Sequence, residues 1–223
     1  MSKRLFSYCI PIDDGAAPNP FWDVCTLAIC KPVIRRTAKI GDWVVGTGSI
    51  NAPSGDLSSK IVYAMEVTDV MTMAAYDDWT KKKCPNKIPD RFSKDPRRVL
   101  GDSIYDFSVT PPKQRSGVHD TGNISTDLGG ENVLLSTNFY YFGKKAIDLP
   151  HYLKSIIHQT QGHKVNINAP YVEPFIDWLL SSGHSHNTIL GAPDLLKEVF
   201  DDLKVNAETR SRCSAQDENT PIC

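Results

Sequence analysis

Residues Asp13–Ser49 read DDGAAPNPFWDVCTLAICKPVIRRTAKIGDWVVGTGS, and this stretch contains the strongest indications of the fold. Turn-forming residues open it, and an apolar segment, Val24–Cys30 (VCTLAIC), comes next. A basic cluster follows, and then Gly41-Asp42 turns the chain into Trp43–Thr47 (WVVGT). Apolar runs of this length between turn signals predict two buried strands. We interpret the whole stretch as the rim and floor of a pocket.

Working outward, the same patterns predict further strands and helices on both sides. Strands are predicted at Arg4–Ile10, Lys60–Val70 and Val133–Phe142, and helices at Thr72–Lys83, Pro150–Gln159, Val172–Ser182 and Asp194–Leu203. Early strands with inserted and appended helices favour an α+β fold, built on a small barrel or a curled mixed sheet. A doubly wound α/β fold is the alternative, but regular βαβ alternation and a GxGxxG motif are missing.

Composition favours one intracellular domain. Residues 1–203 are predicted to form a single α+β domain, and residues 204–223 a polar, disordered tail. No apolar run approaches the roughly 18 residues of a membrane span, and the N-terminus does not resemble a secretory signal. Six cysteines without a CxxC pair argue for reduced thiols rather than zinc ligands, and we expect a cytoplasmic protein without metal or cofactor.

The distribution of charge is uneven although the net charge is only −1. Within Trp79–Arg98 there are eight basic and two acidic side chains, which favours contact with phosphates. A solvated loop or charge run is the alternative. The candidate phosphate-binding residues are Lys31, Arg35, Arg36, Lys39, Lys81, Lys82, Lys83, Arg91, Arg97 and Arg98. As cations after a buried strand, the first four are expected to face solvent or anions.

Aromatic and small polar residues indicate a site for a nucleobase. Two prolines stiffen the loop around Asn19, Phe21 and Trp22, and aromatic faces and amides can stack on a base and pair with its edge. For these three residues, the alternative is a hydrophobic plug. For the run from Trp43 to Ser49 the alternative is a plain hairpin, and for the aromatic strand Asn138–Phe142 it is packing in the core. The candidate base-binding residues are Asn19, Phe21, Trp22, Trp43, Thr47, Gly48, Ser49, Tyr140 and Tyr141.

Candidates for catalysis are fewer and stand apart in the sequence. His163 is a candidate general base, with Asp13 or Asp14 as its partner, and Cys30 beside Lys31 is a candidate nucleophile. No Ser-His-Asp or Cys-His order stands out in the sequence.

Several motifs together resemble one known family. APNPFWDVCTLAICKPVIRR, GDWVVGTGS, IVYAMEV, GDSIYDF, VLLSTNFYYFG and QGH are similar to the nucleotide-modification-associated domain, type two, over about residues 6–193. The resemblance implies a setting near DNA-base hypermodification genes of phages and bacteria. That family is similar in outline to PUA-like and EVE-like barrels, in which a segment like Gly41-Asp42-Trp43 enters a strand that lines a base pocket. A tryptophan triad for reading methyl groups is missing here.

Three functions therefore remain open. The first is a module that binds a nucleobase or modified base, with nucleic acid or a nucleotide as its partner. The second is an enzyme that alters a base or nucleotide during hypermodification. The third is a non-catalytic subunit that contacts other DNA-modification proteins.

Overall fold

The computed structural model describes residues 2–196, and these form a mixed α+β structure. The strands are β1 Leu5–Ile10, β2 Cys25–Leu27, β3 Trp43–Gly48, β4 Lys60–Glu66, β5 Asp69–Thr72, β6 Tyr105–Asp106, β7 Lys113–Gln114, β8 Asn132–Ser136, β9 Asn138–Tyr141, β10 Ile147–Asp148 and β11 Thr188–Ile189. The α-helices are α1 Pro32–Thr37, α2 Met73–Lys83, α3 Pro96–Val99, α4 Ile124–Leu128 and α5 Val172–Ser181. Short 3-10 turns lie at Pro85–Lys87, Thr121–Asn123, Gly143–Lys145, His151–Ile156 and Asn166–Tyr171.

The main sheet has six strands in the order β1-β3-β4-β9-β11, with β10 paired to β4. β1 runs parallel to β3, whereas β3, β4 and β9 pair antiparallel, so the sheet is mixed. All six residues of β1 and of β3 are buried. Phe6 and Val44 pack into one core cluster, while Leu5 and Trp43 pack into another with α5. The sheet is therefore covered on both faces, which explains its nearly continuous apolar strands.

A second sheet has the antiparallel order β2-β8-β5, and β6 and β7 form a small hairpin. Two predicted strands are divided between the main and second sheets. The predicted strand at residues 60–70 separates into β4 and β5, and that at residues 133–142 into β8 and β9. Both changes of sheet occur at one corner, where the Thr137 backbone N–H donates to Thr68 Oγ1 at 3.0 Å.

The α+β class is confirmed, but within residues 2–196 no sheet closes into a barrel. The mixed sheet is the alternative that the structure contains. Its strand order places β1 at one edge and β11 at the other, so the sheet is open.

Two predicted helices are confirmed and one is corrected. α2 begins where predicted, with Thr72 Oγ1 accepting from the Ala75 backbone N–H, and α5 ends one residue before the end of the predicted range at residues 172–182. The predicted helix at residues 150–159 is instead a 3-10 segment at His151–Ile156. Most of the helix predicted at residues 194–203, and the whole predicted tail, lie outside the described residues. Among the helices described, none has the length and apolar character needed to cross a membrane.

Candidate active site

A pocket of about 340 Å³ lies beside the carboxyl end of β1. Five further segments contribute to its lining, and the full set comprises residues 8–12, 14, 16–17, 29–31, 49, 51, 118–119 and 159–161. Pockets for small molecules have volumes of roughly 300–1,000 Å³, so a ligand of modest size fits here.

Cys30 reaches the pocket from a sharp turn between β2 and α1. Cys30 has a φ of 58° and Lys31 a φ of 42°, so two consecutive non-glycine residues adopt the left-handed conformation. That backbone conformation is unfavourable for residues with a Cβ and persists only where the surrounding structure holds it in place. Such residues are common at functional sites. A strained turn from strand to helix is also the way in which α/β-hydrolases expose their nucleophile. The backbone here therefore presents a cysteine in a manner suited to a nucleophile.

His119 and Asp127 complete a chain of contacts that begins at Cys30. Cys30 Sγ lies 3.4 Å from His119 Nε2, and His119 Nδ1 lies 2.6 Å from Asp127 Oδ2. All three residues are buried, and Cys30 and His119 line the pocket. With the Nδ1 proton held by the carboxylate, Nε2 is free to accept a proton from a thiol. The arrangement has the order cysteine, imidazole and carboxylate of a nucleophilic triad.

Other groups hold Asp127 in place. Its Oδ1 accepts from the Cys30 backbone N–H at 3.0 Å, and its Oδ2 also accepts from the Tyr105 hydroxyl at 2.9 Å. The carboxylate thus fixes both the histidine ring and the backbone that bears the cysteine. Such support is what orients a catalytic base.

Cys30 is disulfide-bonded in this structure, so the prediction of reduced thiols is wrong for this residue. The nucleophilic species in thiol chemistry is the reduced thiolate. The chemistry considered below therefore belongs to the reduced protein.

The family model for nucleotide modification associated domain 2 matches residues 2–199. The chain belongs to this family. Neither the curated proteins nor the solved structures contain a significant match to it. The family resemblance noted in the sequence is confirmed, whereas the likeness to PUA-like and EVE-like barrels is not.

In this nucleotide modification associated domain, the polar part of the pocket is formed by residues from several segments. Lys31 Nζ lies 5.1 Å from the centre of the Tyr8 ring, a cation–π distance. The Tyr8 hydroxyl lies 2.9 Å from that of Tyr63, and burial raises the pKa of Tyr8 far above its ordinary value. Asp14 and Ser49 also line the pocket. The lining of the pocket therefore includes a cation, a neutral phenol and a carboxyl group.

The predicted base-binding residues are mostly in the core. Six of the nine are buried there: Asn19, Phe21, Trp43, Thr47, Tyr140 and Tyr141. Ser49 alone of the nine lines the described pocket, and Gly48 packs against the backbone of Leu57 instead. Trp22 is partly buried under the Arg97 guanidinium, whose Cζ lies 4.7 Å from the ring centre. The aromatic strand β9 packs into the core on both faces, which is the alternative given for it in the sequence analysis.

The predicted phosphate-binding residues differ in how far they are buried. Arg35 is fully buried, so the expectation that all four cations after the strand face solvent is wrong for this residue. Its guanidinium donates to the carbonyls of Cys30, Asn132 and Asp127, at 2.7, 2.9 and 2.5 Å. Lys31 lines the pocket, and Lys81 is held between Asp77 and Asp106. The exposed members are Arg36, Lys39, Lys81, Lys82, Lys83 and Arg97.

Arg91 and Arg98, the remaining two phosphate candidates, are partly buried, and Arg98 Nη2 lies 3.9 Å from Asp90 Oδ2. Arg91 Nη1 donates to Ser116 Oγ, and Arg98 Nη1 donates to Asn86 Oδ1, both at 2.8 Å.

Of the four predicted catalytic candidates, Cys30 and Asp14 line the pocket and two do not. Asp13 is buried and accepts a hydrogen bond from the Tyr141 hydroxyl. Burial raises the pKa of Asp13 to about 7, although the Tyr141 hydrogen bond opposes the shift. His163 packs beside the Phe6 ring at 5.9 Å, and burial lowers its pKa. The structure thus pairs the predicted nucleophile with a different histidine.

His119 and Asp127 were missed by the sequence analysis. They lie eight residues apart, His119 in a loop and Asp127 in α4, in a polar region that carries no motif, and 89 positions separate His119 from Cys30. A lone histidine between glycines is a weak indication of function, and only the packing of this region against the turn after β2 places His119 beside Cys30.

Proposed function

We propose that this nucleotide modification associated domain is an enzyme that binds a nucleobase or nucleotide in the pocket and acts on it through Cys30. The observation that carries the proposal is the chain from Cys30 Sγ through the His119 ring to the Asp127 carboxylate. Family membership supports a nucleobase or nucleotide as the substrate, since the matching model concerns nucleotide modification.

The reaction begins with the reduced thiol of Cys30. His119 Nε2 takes the thiol proton, and the sulfur electron pair forms a bond to an electrophilic carbon of the base or of a group attached to it. The bond to the leaving group then breaks, and the imidazolium returns its proton to that group. A water or acceptor nucleophile releases the covalent intermediate by the reverse sequence, with His119 again the base.

Asp127 has a positioning role in this scheme. It holds the Nδ1 proton, which keeps Nε2 directed at the sulfur and stabilises the imidazolium that forms. Lys31 would bind the substrate, its ammonium pairing with an anionic group.

The first test measures the nucleophilicity of Cys30 without knowledge of the substrate. Fully reduced protein is treated with iodoacetamide at neutral pH, and alkylation of Cys30 and Cys84 is followed by peptide mass spectrometry. Cys84 serves as an internal reference, because it is partly buried and burial raises its pKa. We expect Cys30 to react faster than Cys84, and His119→Gln to slow Cys30 by about tenfold to a hundredfold with Cys84 unchanged.

His163→Gln is the matched control, because His163 lies near the pocket without lining it. Equal effects of the two histidine substitutions on Cys30 would contradict the assignment of His119 as the base.

Turnover is tested next with nucleotides and oligonucleotides that carry modified bases. Products are identified by mass spectrometry of the released nucleosides, with reductant present throughout. Cys30→Ser should abolish product while substrate still binds. Full turnover by Cys30→Ser would overturn the proposed mechanism.

A second candidate function is a reader that binds a base without changing it. The Trp22–Arg97 stack on the basic segment favours this function, because aromatic and guanidinium faces both stack on bases. A reader of this kind needs no closed PUA-like barrel. Tight binding of an oligonucleotide without product, and with Cys30 unreactive, would favour the reader. Binding only to partner proteins would favour an interaction subunit of a modification system.

A further inference from the structure

We infer that the loop around Phe92 docks a nucleic-acid strand, so that the substrate base reaches the pocket as part of a polymer. The inference extends the proposed function by naming a polymer as the substrate. It rests on the proposed function only in stating that the docked base then reacts in the pocket. Docking itself can be measured whether or not the pocket catalyses a reaction.

Phe92 is the most exposed large apolar residue in the described part of the chain, with 96% of its surface accessible. It stands at the tip of a tight turn, in which the Ser93 backbone N–H donates to the Asp90 carbonyl at 3.2 Å. Asp90 Oδ1 also accepts from the Phe92 backbone N–H at 3.0 Å. An ordered turn thus holds an aromatic ring in solvent, and a ring so placed is suited to stacking on a base.

Cations surround this aromatic tip. Arg91 precedes it and Lys94, which is exposed, follows it. Arg97 stacks on Trp22 and pairs with Asp95 at 2.7 Å, while its own side chain remains 49% accessible. Lys82 and Lys83 are exposed at the end of α2, in the same basic stretch of sequence. A polyanion with stacking bases matches this combination of charge and aromatic surface.

The loop is joined directly to the wall of the pocket. Arg91 Nη1 donates to Ser116 Oγ at 2.8 Å, and a Cβ placed on Gly117 would lie 3.8 Å from Pro89 Cγ. The next two residues along the chain, Val118 and His119, line the pocket. A strand bound across the Phe92 turn therefore lies beside the segment that carries the proposed general base.

The test uses full-length reduced protein and fluorescence anisotropy of a labelled single-stranded 20-mer DNA at two salt concentrations. Phe92→Ala should weaken binding by at least about fivefold, and Phe92→Trp should restore it. Tyr152→Ala is the matched control, because Tyr152 is also an exposed aromatic residue but lies on the segment His151–Ile156. Lys94→Ala should lower the slope of log K against log salt by about one, and exposed Lys144→Ala should not.

The same variants are then tested with a free nucleotide. Phe92→Ala should leave binding and turnover of the free nucleotide within about twofold, because the loop contacts the strand and not the pocket. Loss of free-nucleotide turnover in Cys30→Ser, with strand binding intact, separates the chemistry from the docking.

Three outcomes would overturn the docking surface. They are equal losses in Phe92→Ala and Tyr152→Ala, no binding of any strand by the wild type, and a Phe92-dependent dimer without strand binding. An RNA 20-mer of the same sequence shows which polymer is preferred.

Discussion

At the scale of single residues, burial gives the Asp13 carboxyl group an unusually high pKa. Its carboxyl group is buried and has the Tyr141 hydroxyl as a donor to Oδ1, while Oδ2 has no partner among the described residues. Burial penalises the charged form, and its pKa therefore rises to about 7. In the folded protein this carboxyl group holds its proton through the range in which the unfolded chain has released it.

The first prediction concerns Asp13→Asn, which removes that titration. For the wild type, the free energy of unfolding should fall as pH rises from about 4 to 7, since the unfolded state releases the proton first. The stability of Asp13→Asn relative to the wild type should therefore be about 2–3 kcal/mol greater at pH 8 than at pH 5. Urea unfolding at the two pH values measures this difference.

Tyr141→Phe is the companion variant for this titration. It removes the hydrogen bond that lowers the Asp13 pKa, so the fall in stability should extend to higher pH than in the wild type. A relative stability of Asp13→Asn that is the same at pH 5 and pH 8 would refute the assignment.

At the scale of elements, the short helix α1 owes its position to one side chain. It has six residues, and no side chain caps its N-terminus. Arg35 joins it to the Cys30 turn and to the segment around Asp127 by donating to three carbonyls. The same side chain thus connects the two parts of the chain that bear Cys30 and Asp127.

The second prediction compares Arg35→Ala with Arg36→Ala. Arg35→Ala leaves buried carbonyls without donors and a cavity, so it should cost about 3–5 kcal/mol of stability. Arg36 is exposed and donates to the Gly129 carbonyl alone among the contacts described, so Arg36→Ala should cost about 1 kcal/mol. Urea unfolding measures both, and equal losses would contradict this role for Arg35.

Gly130→Ala tests the same contact from the other side. An added Cβ would lie 2.2 Å from Arg35 Cζ, too close for the guanidinium to keep its place. We therefore expect this variant to lose stability by a mechanism shared with Arg35→Ala, and the two losses to be less than additive.

At the scale of the whole molecule, Lys87 connects the basic segment to the loop before β2. Its ammonium is fully buried and lies 2.8–2.9 Å from four acceptors, Asn19 O, Asn19 Oδ1, Val24 O and Thr26 Oγ1, which share its three N–H donors. Nearby Asp102 is buried as well and accepts from Thr26 and Tyr76. Burial lowers the pKa of Lys87 and raises that of Asp102, and each charge offsets part of the other's shift.

The third prediction is that Lys87→Met destabilises the fold by about 3–5 kcal/mol, because it leaves Asp102 buried without its cation. Lys83→Met, at an exposed position of α2, should change stability by about 0.5 kcal/mol or less. Thermal or urea unfolding measures both variants. Lys87→Met combined with Asp102→Asn should recover part of the loss, and no recovery would count against the pairing.

Sequence alone determined the class of fold, the family and the local elements with strong periodicity. Buried strands β1 and β3 and helices α2 and α5 follow from apolar patterning and capping, which act over a few residues. Cys30 was among the residues singled out, because a cysteine beside a lysine after an apolar strand is locally visible.

Tertiary structure decided which residues meet. Arg35, a predicted phosphate ligand, is buried and holds neighbouring segments together. Most of the predicted base-binding aromatic residues also lie in the core. His119 and Asp127 reach Cys30 only because distant segments pack together at the turn between β2 and α1. Local pattern carries no information on such long-range contacts, since they depend on how the sheets and loops fill space around one another.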